Sequence, residues 1–329
     1  MPNTPPIVTI FGGSGFVGRY IALKLARAGW RVRVAVRRPN EAMFVKTYGT
    51  VGQVEPILAN VRNAASVKQA IAGADAVVNC VGILHENPRQ KFAAVHVEAA
   101  GRVARIAALN GVKKFVHLSS IGANLDSNSI YARTKAEGED LVRGHFPKAV
   151  ILRPSVIFGT EDQFLNRFAA LSRLTPIVPL VGAQTKFQPV YVDDVAAAAA
   201  VAITGDIPGG IYELGGPEVK SLREIIQNVL HIIRRKRLVI NIPFRFAALK
   251  AWGFDMIALA SRGLIVAMIT RDQVKQLRID NVVQKDAAGF ADFGITPKAM
   301  EGVIEDYLYC YRPHGQFTAI TSSAKNLKI

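Results

Sequence analysis

Cysteine is scarce in this sequence, and long hydrophobic runs are missing. The 329 residues include 2 cysteines, Cys80 and Cys310, which excludes a disulfide framework, and neither lies in a metal-type spacing. This usage fits a reducing compartment. The best candidate for a membrane helix, residues 256–269, is interrupted by Arg262 and falls short of the ~20 apolar residues needed. Residues 1–6 are polar and proline-rich, so no secretory signal is visible. We therefore expect a soluble chain in the cytoplasm.

Acidic residues are few relative to basic ones. There are 25 Asp and Glu against 41 Lys and Arg, which gives a formal net charge of +16. This balance favours an anionic neighbour, such as acidic lipid headgroups, an acidic protein surface or nucleic acid. A solvated basic surface without a specific target is the alternative. No helix-turn-helix, zinc-finger or aromatic-plus-basic strand pattern occurs, so we expect no nucleic-acid partner.

The histidines do not indicate a metal site. The 6 histidines form no i,i+4 pair and no ligand spacing. His117, inside an apolar run, is expected to be a packed residue. We expect no bound metal.

Short apolar runs and helical patterns alternate through the first half of the chain. With 50% hydrophobic residues, a sizeable core is available. The runs are continuously apolar, as parallel strands covered on both faces require, and lie at 7–11, 32–36, 76–81, 114–118 and 149–152. Helical patterns lie at 17–28, 64–72 and 95–110. This alternation predicts an α/β fold with a Rossmann-like, doubly wound parallel sheet.

The pattern changes after about residue 155. Loops rich in Pro and Gly at 175–182 and 205–218 indicate a smaller α+β region. Residues 193–203 are an alanine-rich helix, and Ser221 with Glu224 forms a capping box for a helix through Ile233. The expected division is a first domain at 1–160 with its sheet completed near 186–215, a substrate-side or partner-facing region at 161–312, and a flexible tail at 313–329.

A glycine-rich turn follows the first predicted strand. Gly12, Gly15 and Gly18 permit a tight turn, close approach of a pyrophosphate to the backbone, and close packing of helix on strand. The diphosphate then faces unpaired N–H groups at the helix N-terminus. We expect dinucleotide contacts from the neighbouring positions Ser14, Phe16, Val17 and Arg19. Arg19 is either a phosphate ligand or an ordinary surface residue.

The second strand ends in Arg37 and Arg38. A site for NAD usually has an acidic residue there, whereas a site for NADP has an arginine that binds the 2′-phosphate. No acidic residue precedes Glu41. The sequence therefore favours NADP(H).

Tyr131 and Lys135 are four positions apart, on one face of a predicted helix. A lysine charge beside a tyrosine lowers the phenol pKa, and such a tyrosine can exchange a proton with a substrate carbonyl or alcohol. The preceding strand ends in Ser119 and Ser120, either of which could orient a carbonyl.

With the glycine turn, these residues resemble the short-chain dehydrogenase/reductase superfamily, in its extended or atypical branch. Further segments with the look of that branch are "RPSVIFG" (153–159), "PVYVDDVA" (189–196) and "YELGGPEVKSLREI" (212–225). The resemblance covers roughly residues 7–230. It implies additional cofactor contacts from Asn60, Val61, Val81, Gly82 and Pro154.

Within the superfamily, the chain is most similar to the NADP-binding accessory subunit family of respiratory complex I (NADH:ubiquinone oxidoreductase) and its bacterial relatives. The segments "FGGSGFVGRYI", "VRVAVRRP", "HLSSIGA", "YARTKAEGE" and "RPSVIFGTEDQFLNRFA" carry this likeness. It implies a tightly held NADPH without hydride turnover. It also implies docking to complex I subunits at the membrane-proximal base of the peripheral arm, on the cytoplasmic (matrix-equivalent) face of the inner membrane.

Two features depart from the superfamily pattern. Asn60 replaces the usual Asp near the adenine, and "NCVGI" (79–83) replaces the usual Asn-Ala-Ala-Gly while keeping Gly82. The Ser–Tyr–Lys set is intact, so the sequence does not reveal a loss of catalysis. Tyr131 and Lys135 could equally serve only to bind the nicotinamide ribose.

Two hypotheses from different classes follow. In the first, which we favour, the protein is an accessory subunit stabilised by NADPH. In the second, it is an NADPH-dependent reductase or epimerase acting on a small-molecule substrate, with Tyr131 as acid or base, Lys135 tuning its pKa, and Ser120 or Ser119 orienting the substrate. The aromatic, aliphatic and basic segment 243–269 is an interfacial amphipathic helix or closes a substrate cleft. The basic run in 231–243 is a solvated connection or binds an acidic partner.

Overall fold

The computed structural model describes residues 4–87, 90–244 and 270–315. Its strands, in chain order, are β1 (Ile7–Phe11), β2 (Arg31–Val36), β3 (Val54–Leu58), β4 (Ala76–Asn79), β5 (Lys114–Leu118), β6 (Val150–Pro154), β7 (Ile157–Phe158), β8 (Ile177–Val181), β9 (Lys186–Phe187), β10 (Val190–Tyr191), β11 (Gly210–Leu214), β12 (Lys220–Ser221) and β13 (Leu238–Ile242). The α-helices are α1 (Phe16–Arg27), α2 (Ala64–Ile71), α3 (Ala99–Leu109), α4 (Ile130–His145), α5 (Leu165–Leu174), α6 (Val192–Thr204), α7 (Leu222–Ile232), α8 (Arg271–Gln276) and α9 (Glu301–Leu308).

Seven strands form one parallel sheet in the order β11-β6-β5-β4-β1-β2-β3. One hydrophobic core lies between the sheet and helices α1 and α6. A second core lies on the opposite face, under α2, α3 and α4. The predicted α/β fold with a doubly wound, Rossmann-like parallel sheet is confirmed. Strand order reverses between β1 and β4, and ligands of open α/β sheets bind at such a point, beyond the carboxyl ends of the strands.

Strand β3 was not predicted from the sequence. Its five residues include Glu55 and Pro56, which weaken the apolar pattern of a covered strand. Because β3 is the last strand at one side of the sheet, it needs hydrogen bonds along only one edge. Proline, which lacks an N–H, is tolerated in such edge strands.

The region after β6 contains a third core and three short strand pairs. Strands β7 and β10 pair in parallel, as do β8 and β13, whereas β9 and β12 are antiparallel. Helices α5, α7 and α9 pack around this third core. The alanine-rich helix is α6, and the capping box at Ser221 and Glu224 begins α7, both as predicted.

Three predictions about the chain's organisation stay predictions. These are the division near residue 160, the flexible tail and the role of 243–269. Residues 245–269 and 316–329 lie outside the described residues. In the ranges that the structure describes, no helix is both long and apolar enough to cross a membrane.

Candidate functional site

The glycine turn joins β1 to α1, in the predicted strand–turn–helix arrangement. Gly12 has φ +76°, a left-handed conformation that favours glycine. A Cβ added to Gly18 would lie 2.3 Å from the Gly12 carbonyl oxygen, so only glycine permits this approach of helix to turn. Helix α1 begins after Gly15, and no side chain among the described residues caps it. The first amides of α1, at Phe16 and Val17, therefore remain available to an anion.

Arg37 and Arg38 directly follow β2, the strand that pairs with β1 beside the glycine turn. Arg38 pairs with Glu41 at 2.9 Å, and both side chains are mostly exposed. Arg37 is also exposed and makes no hydrogen bond or ion pair within the described ranges. Arg37 is thus the better placed of the two predicted arginines to bind a phosphate from solution.

Arg19 folds back over the glycine turn. Its guanidinium donates to the Ser14 carbonyl at 3.2 Å, lies 3.2 Å from a Glu161 carboxylate oxygen, and covers the Phe44 ring at 4.9 Å. These contacts distinguish Arg19 from a freely solvated residue. Its role as a phosphate ligand stays a prediction.

Asn60 and Val61 follow β3, at the outer edge of the sheet. The Asn60 carboxamide oxygen accepts a hydrogen bond from Arg62 N–H at 3.0 Å, which makes a local turn. Val61 packs against the core under α2 to α4, and its carbonyl accepts from Arg102 at 2.9 Å. Both residues directly follow the edge strand β3, and their contact with a cofactor stays a prediction.

Residues after β4 join the glycine turn to the predicted catalytic residues. A Cβ on Gly12 would contact Cys80 and Val81 at 3.3–3.4 Å. A Cβ on Gly82 would lie 3.9 Å from Lys135 Nζ. Gly12, Val81, Gly82 and Lys135 therefore form a continuous row, and their contact with a cofactor stays a prediction.

Lys135 is buried, with 5% of its surface exposed, and its ammonium donates to the Leu118 carbonyl at 2.9 Å. Burial lowers its pKa to about 8, and Glu139 and Cys80 limit the fall. Sequence reasoning expects Lys135 to lower the pKa of Tyr131. Instead, burial raises the pKa of the Tyr131 phenol, and the neighbouring Ser120 hydroxyl offsets this only in part.

The structure distinguishes the two candidate serines. Ser119 is buried, and its hydroxyl donates a hydrogen bond to Glu139, which also binds Arg153 at 2.6 Å. Ser120 Oγ is shielded from solvent and has no hydrogen-bond partner in the described part of the chain. Its hydroxyl adjoins the Tyr131 phenol, whose pKa it lowers against the larger effect of burial. Ser120 is therefore the serine available to a ligand, and Ser119 is held by the protein.

His96 is a site residue that sequence reasoning missed. Its ring lies edge-on to Tyr131, with centroids 5.3 Å apart, and Nε2 accepts from Ile83 N–H at 3.1 Å. The proton is therefore on Nδ1, which donates to Thr134 Oγ1 at 3.2 Å. Burial and the Lys135 charge lower the pKa of His96 to about 3, so it is a neutral packing partner for Tyr131.

The approach of α4 to His96 depends on glycine. A Cβ on Gly138 would lie 2.0 Å from the His96 carbonyl oxygen. His96 lies in a π-helical turn, Ala93–Glu98, that precedes α3. The glycine inside the otherwise helical "YARTKAEGE" pattern was the one signal for this contact.

Two further predicted residues are packed. His117 is buried, as predicted, and its Nδ1 lies 3.2 Å from the Asn79 carboxamide nitrogen. Pro154 is at the end of β6, and its carbonyl accepts from Ile121 N–H at 3.0 Å. In the parts of the chain described, no group of three or more His, Cys, Asp or Glu is arranged to hold a metal ion.

A cavity of about 790 Å³ opens beside Tyr131, towards the region after β6. Aliphatic and aromatic side chains dominate its wall, among them Ile121, Phe164, Phe168, Leu171, Phe187 and Leu222. The volume lies in the range of about 300–1,000 Å³ that is typical of small-molecule sites.

The arrangement fits a nicotinamide dinucleotide. The glycine turn offers amides to a pyrophosphate, and Lys135 lies farther along the same row. The Ser120 hydroxyl, without a hydrogen-bond partner in the described ranges, adjoins Tyr131. A carbonyl beside Ser120 and Tyr131 would meet one hydrogen-bond donor and one proton donor. The cavity provides room for the rest of the molecule that carries this carbonyl.

Comparisons with known proteins agree with this geometry. A sequence profile described as the NAD dependent epimerase/dehydratase family matches residues 8–215. The chain is 33% identical over 326 residues to NADH dehydrogenase [ubiquinone] 1 alpha subcomplex subunit 9, mitochondrial, of Arabidopsis thaliana, covering 97% of this chain and 81% of that protein.

Two other similarities concern an enzyme and a fold. The chain is 29% identical over 239 residues to a ceramide reductase of Caulobacter vibrioides, covering 72% of this chain and 74% of that protein. The Bordetella bronchiseptica enzyme WbmG, solved in complex with NAD, superposes with a TM-score of 0.67 at 15% identity, covering 94% of each chain. At that identity the superposition shows a common fold alone.

Proposed function

The chain belongs to the NAD dependent epimerase/dehydratase family, and from this premise we propose that it is an NADP(H)-binding accessory subunit of respiratory complex I. Membership implies a nicotinamide dinucleotide on the glycine turn. The observation that carries the accessory role is the 33% identity to the plant subunit over 97% of the chain. That similarity extends beyond the dinucleotide-binding half into the region after β6.

The phosphorylated dinucleotide is favoured by the end of β2. Arg37 and Arg38 occupy the position where an acidic residue would bind the ribose hydroxyls of NAD. The nearest carboxylate, Glu41, is paired with Arg38. Arg37 has no such partner in the part of the chain that the structure describes, so it would bind a 2′-phosphate.

The cofactor has a structural role in this proposal. A ligand that binds only the folded chain stabilises it, by about 2.7 kcal/mol at a concentration 100 times its Kd. The glycine turn, β4 and α4 all border the dinucleotide cleft, so the bound molecule joins elements that are far apart in sequence. Hydride turnover is not required for this effect.

An exposed surface supports a location at the membrane. On the two-stranded sheet formed by β8 and β13, Ile177, Leu238 and Ile240 are 42%, 62% and 40% exposed. We call these three residues the β8–β13 face. The basic run at 234–237 leads directly into β13. Apolar side chains beside a cluster of cations suit an anionic lipid surface. We therefore propose that the protein lies on the cytoplasmic (matrix-equivalent) face of the inner membrane.

Purification from the native host tests the accessory role. An affinity-tagged chain, extracted from membranes in mild detergent, should migrate with NADH dehydrogenase activity on a native gel. Disruption of its gene should reduce the amount of assembled complex I. Migration of the chain alone, as a soluble oligomer, would contradict the proposal.

A second candidate function is reduction or epimerisation of a small molecule. The observation that favours it is the Ser120 hydroxyl, which is shielded beside Tyr131 and has no partner among the described residues. In the reduction, bound NADPH would supply the hydride. Tyr131 would protonate the substrate oxygen, Ser120 would donate a hydrogen bond to that oxygen, and Lys135, with a pKa of about 8, could return the proton at neutral pH.

A further inference from the structure

We propose that the cavity beside Tyr131 binds the apolar chain of a membrane amphiphile, with a carbonyl or hydroxyl head directed towards Tyr131 and Ser120. The accessory role assigns no ligand to this cavity. Binding of an amphiphile there would also suit the second candidate function, but it requires neither catalysis nor assembly into complex I. The supporting observations are the cavity, its apolar lining and its opening.

Several of the polar groups in the wall are already hydrogen-bonded within the protein. Ser129 donates to Asp272 at 2.8 Å, and Gln276 donates to the same carboxylate at 3.1 Å. The Asn281 carboxamide oxygen accepts from Ser155 at 2.7 Å, and Asp280 accepts from Lys186 N–H at 2.8 Å. What the wall offers a ligand is therefore mainly hydrocarbon surface.

This wall does not suit a sugar nucleotide. A diphosphate needs several converging cations or open amides. Arg167 is the single lysine or arginine among the described residues that line the cavity. A hydrocarbon chain needs only apolar contacts, and each methylene it buries contributes to affinity.

The cavity continues onto the exposed β8–β13 face. The strands pair Ile177 with Leu238, Pro179 with Ile240 and Val181 with Ile242. Pro179, Val181 and Ile242 line the cavity, whereas Ile177, Leu238 and Ile240 are exposed. Side chains two apart on a strand share a face. One apolar stripe thus runs from the surface into the cavity, which gives a hydrocarbon chain a continuous path from a lipid surface.

Calorimetric titration of the full-length chain tests the inference. The probes are straight-chain methyl ketones from nonanone to tridecanone, added with NADP⁺, which cannot deliver a hydride. Each methylene should tighten the Kd by about fourfold. Geranylacetone, a branched isoprenoid methyl ketone with the carbon number of tridecanone, distinguishes the chain types. Tighter binding of tridecanone indicates an acyl chain, and tighter binding of geranylacetone indicates an isoprenoid.

Two leucines on α5 provide a matched pair of variants. Leu171 lines the cavity, whereas Leu174, one turn later, is 84% exposed and is not part of the wall. Leu171→Glu should weaken the binding of tridecanone at least tenfold, whereas Leu174→Glu should change its Kd less than twofold. Ile279→Glu is a second lining variant, at a position 60% exposed and therefore tolerant of charge.

Three outcomes would overturn the inference. These are an affinity that does not depend on chain length, equal effects of the Leu171 and Leu174 substitutions, and binding of UDP-glucose to the same cavity in preference to the ketones. Chain-length dependence that is lost in the lining variants supports it. Failure to find the chain in complex I would leave this result unchanged, so the two proposals fail separately.

Discussion

The carboxylate of Asp272 accepts a hydrogen bond from the backbone N–H of Tyr131 at 3.2 Å, although 141 positions separate the two residues. The same carboxylate accepts from Ile130 N–H at 2.7 Å and from the Ser129 hydroxyl at 2.8 Å. The first amides of a helix have no intrahelical partner, and a negative charge there is favourable. Asp272, on α8, therefore holds the end of α4 that carries Tyr131.

Loss of this carboxylate should destabilise the fold. We expect Asp272→Ala to lower the free energy of unfolding by about 1–2 kcal/mol, as for other helix caps. Urea unfolding measures the change. Asp272→Asn keeps an acceptor and should recover part of the loss, and Asp126→Ala, at an exposed position, is the charge-matched control. Equal effects of the two alanine substitutions would contradict the role of Asp272.

Two glycine-to-alanine substitutions should act in opposite directions. A Cβ at Gly18 would lie 2.3 Å from the Gly12 carbonyl oxygen, whereas a Cβ at Gly144 in α4 would have no described atom within 4 Å. We expect Gly18→Ala to lower the free energy of unfolding by about 1–3 kcal/mol and to abolish dinucleotide binding. Gly144→Ala should raise the free energy of unfolding by about 0.5–1 kcal/mol, because alanine has the higher helix propensity. Thermal unfolding and dinucleotide titration measure both, and binding retained by Gly18→Ala would refute the turn geometry.

Lys135 should make stability depend on pH. Its pKa is about 8 in the folded chain and about 10.4 when unfolded, so between these values the unfolded chain holds more protons and stability rises with pH. At neutral pH Lys135 is still charged in the folded chain, and burying that charge lowers the free energy of unfolding. We expect Lys135→Met to stabilise the cofactor-free chain by about 2 kcal/mol there, after loss of one hydrogen bond.

The pH series checks the sign of this effect. The advantage of Lys135→Met should shrink as pH rises from about 8 towards about 10. Lys68→Met, at an exposed position on α2, should show no such trend. A variant less stable than the wild type at neutral pH would show that the charge is better solvated than the structure indicates.

Tyr131→Phe separates the two candidate functions. The ring packing against His96 and Phe92 needs no hydroxyl, so melting temperature and NADPH affinity should change little. If the second function holds, reduction of a long-chain ketone should fall by at least 100-fold, in line with general acid catalysis. If the chain is only an accessory subunit, neither protein shows turnover and complex I content is unchanged.

Local features of this chain were predictable from sequence. The glycine turn, the capping box of α7 and the apolar strands each depend on residues close together, so their patterns are legible in one segment. The parallel sheet followed from the alternation of such segments. Strand β3 was not predicted because Pro56 interrupts the apolar pattern. Proline is acceptable in this strand because β3 lies at the edge of the sheet.

Features that depend on packing were not predictable. Ser119 and Ser120 are equivalent in sequence, and only the position of Glu139 on α4 decides which hydroxyl is used. The predicted lowering of the Tyr131 pKa was wrong, because burial raises this pKa by more than the neighbouring Ser120 hydroxyl lowers it. Asp272 acts on Tyr131 through tertiary structure, and no local pattern connects them.

The proposed function assigns Arg37 to the 2′-phosphate of NADP(H), and this contact would decide which dinucleotide binds. Thermal unfolding of wild type, Arg37→Ala and Arg38→Ala, each titrated with NADPH and with NADH, measures this most directly. The wild type should be stabilised by NADPH at much lower concentration than by NADH. Arg37→Ala should weaken the binding of NADPH by about 10- to 100-fold, which is the equivalent of one charge-assisted contact. The same substitution should weaken the binding of NADH by less than about twofold. Arg38→Ala should act less, because Arg38 is paired with Glu41. Equal weakening of both dinucleotides by Arg37→Ala, or no stabilisation by either one, would contradict the account.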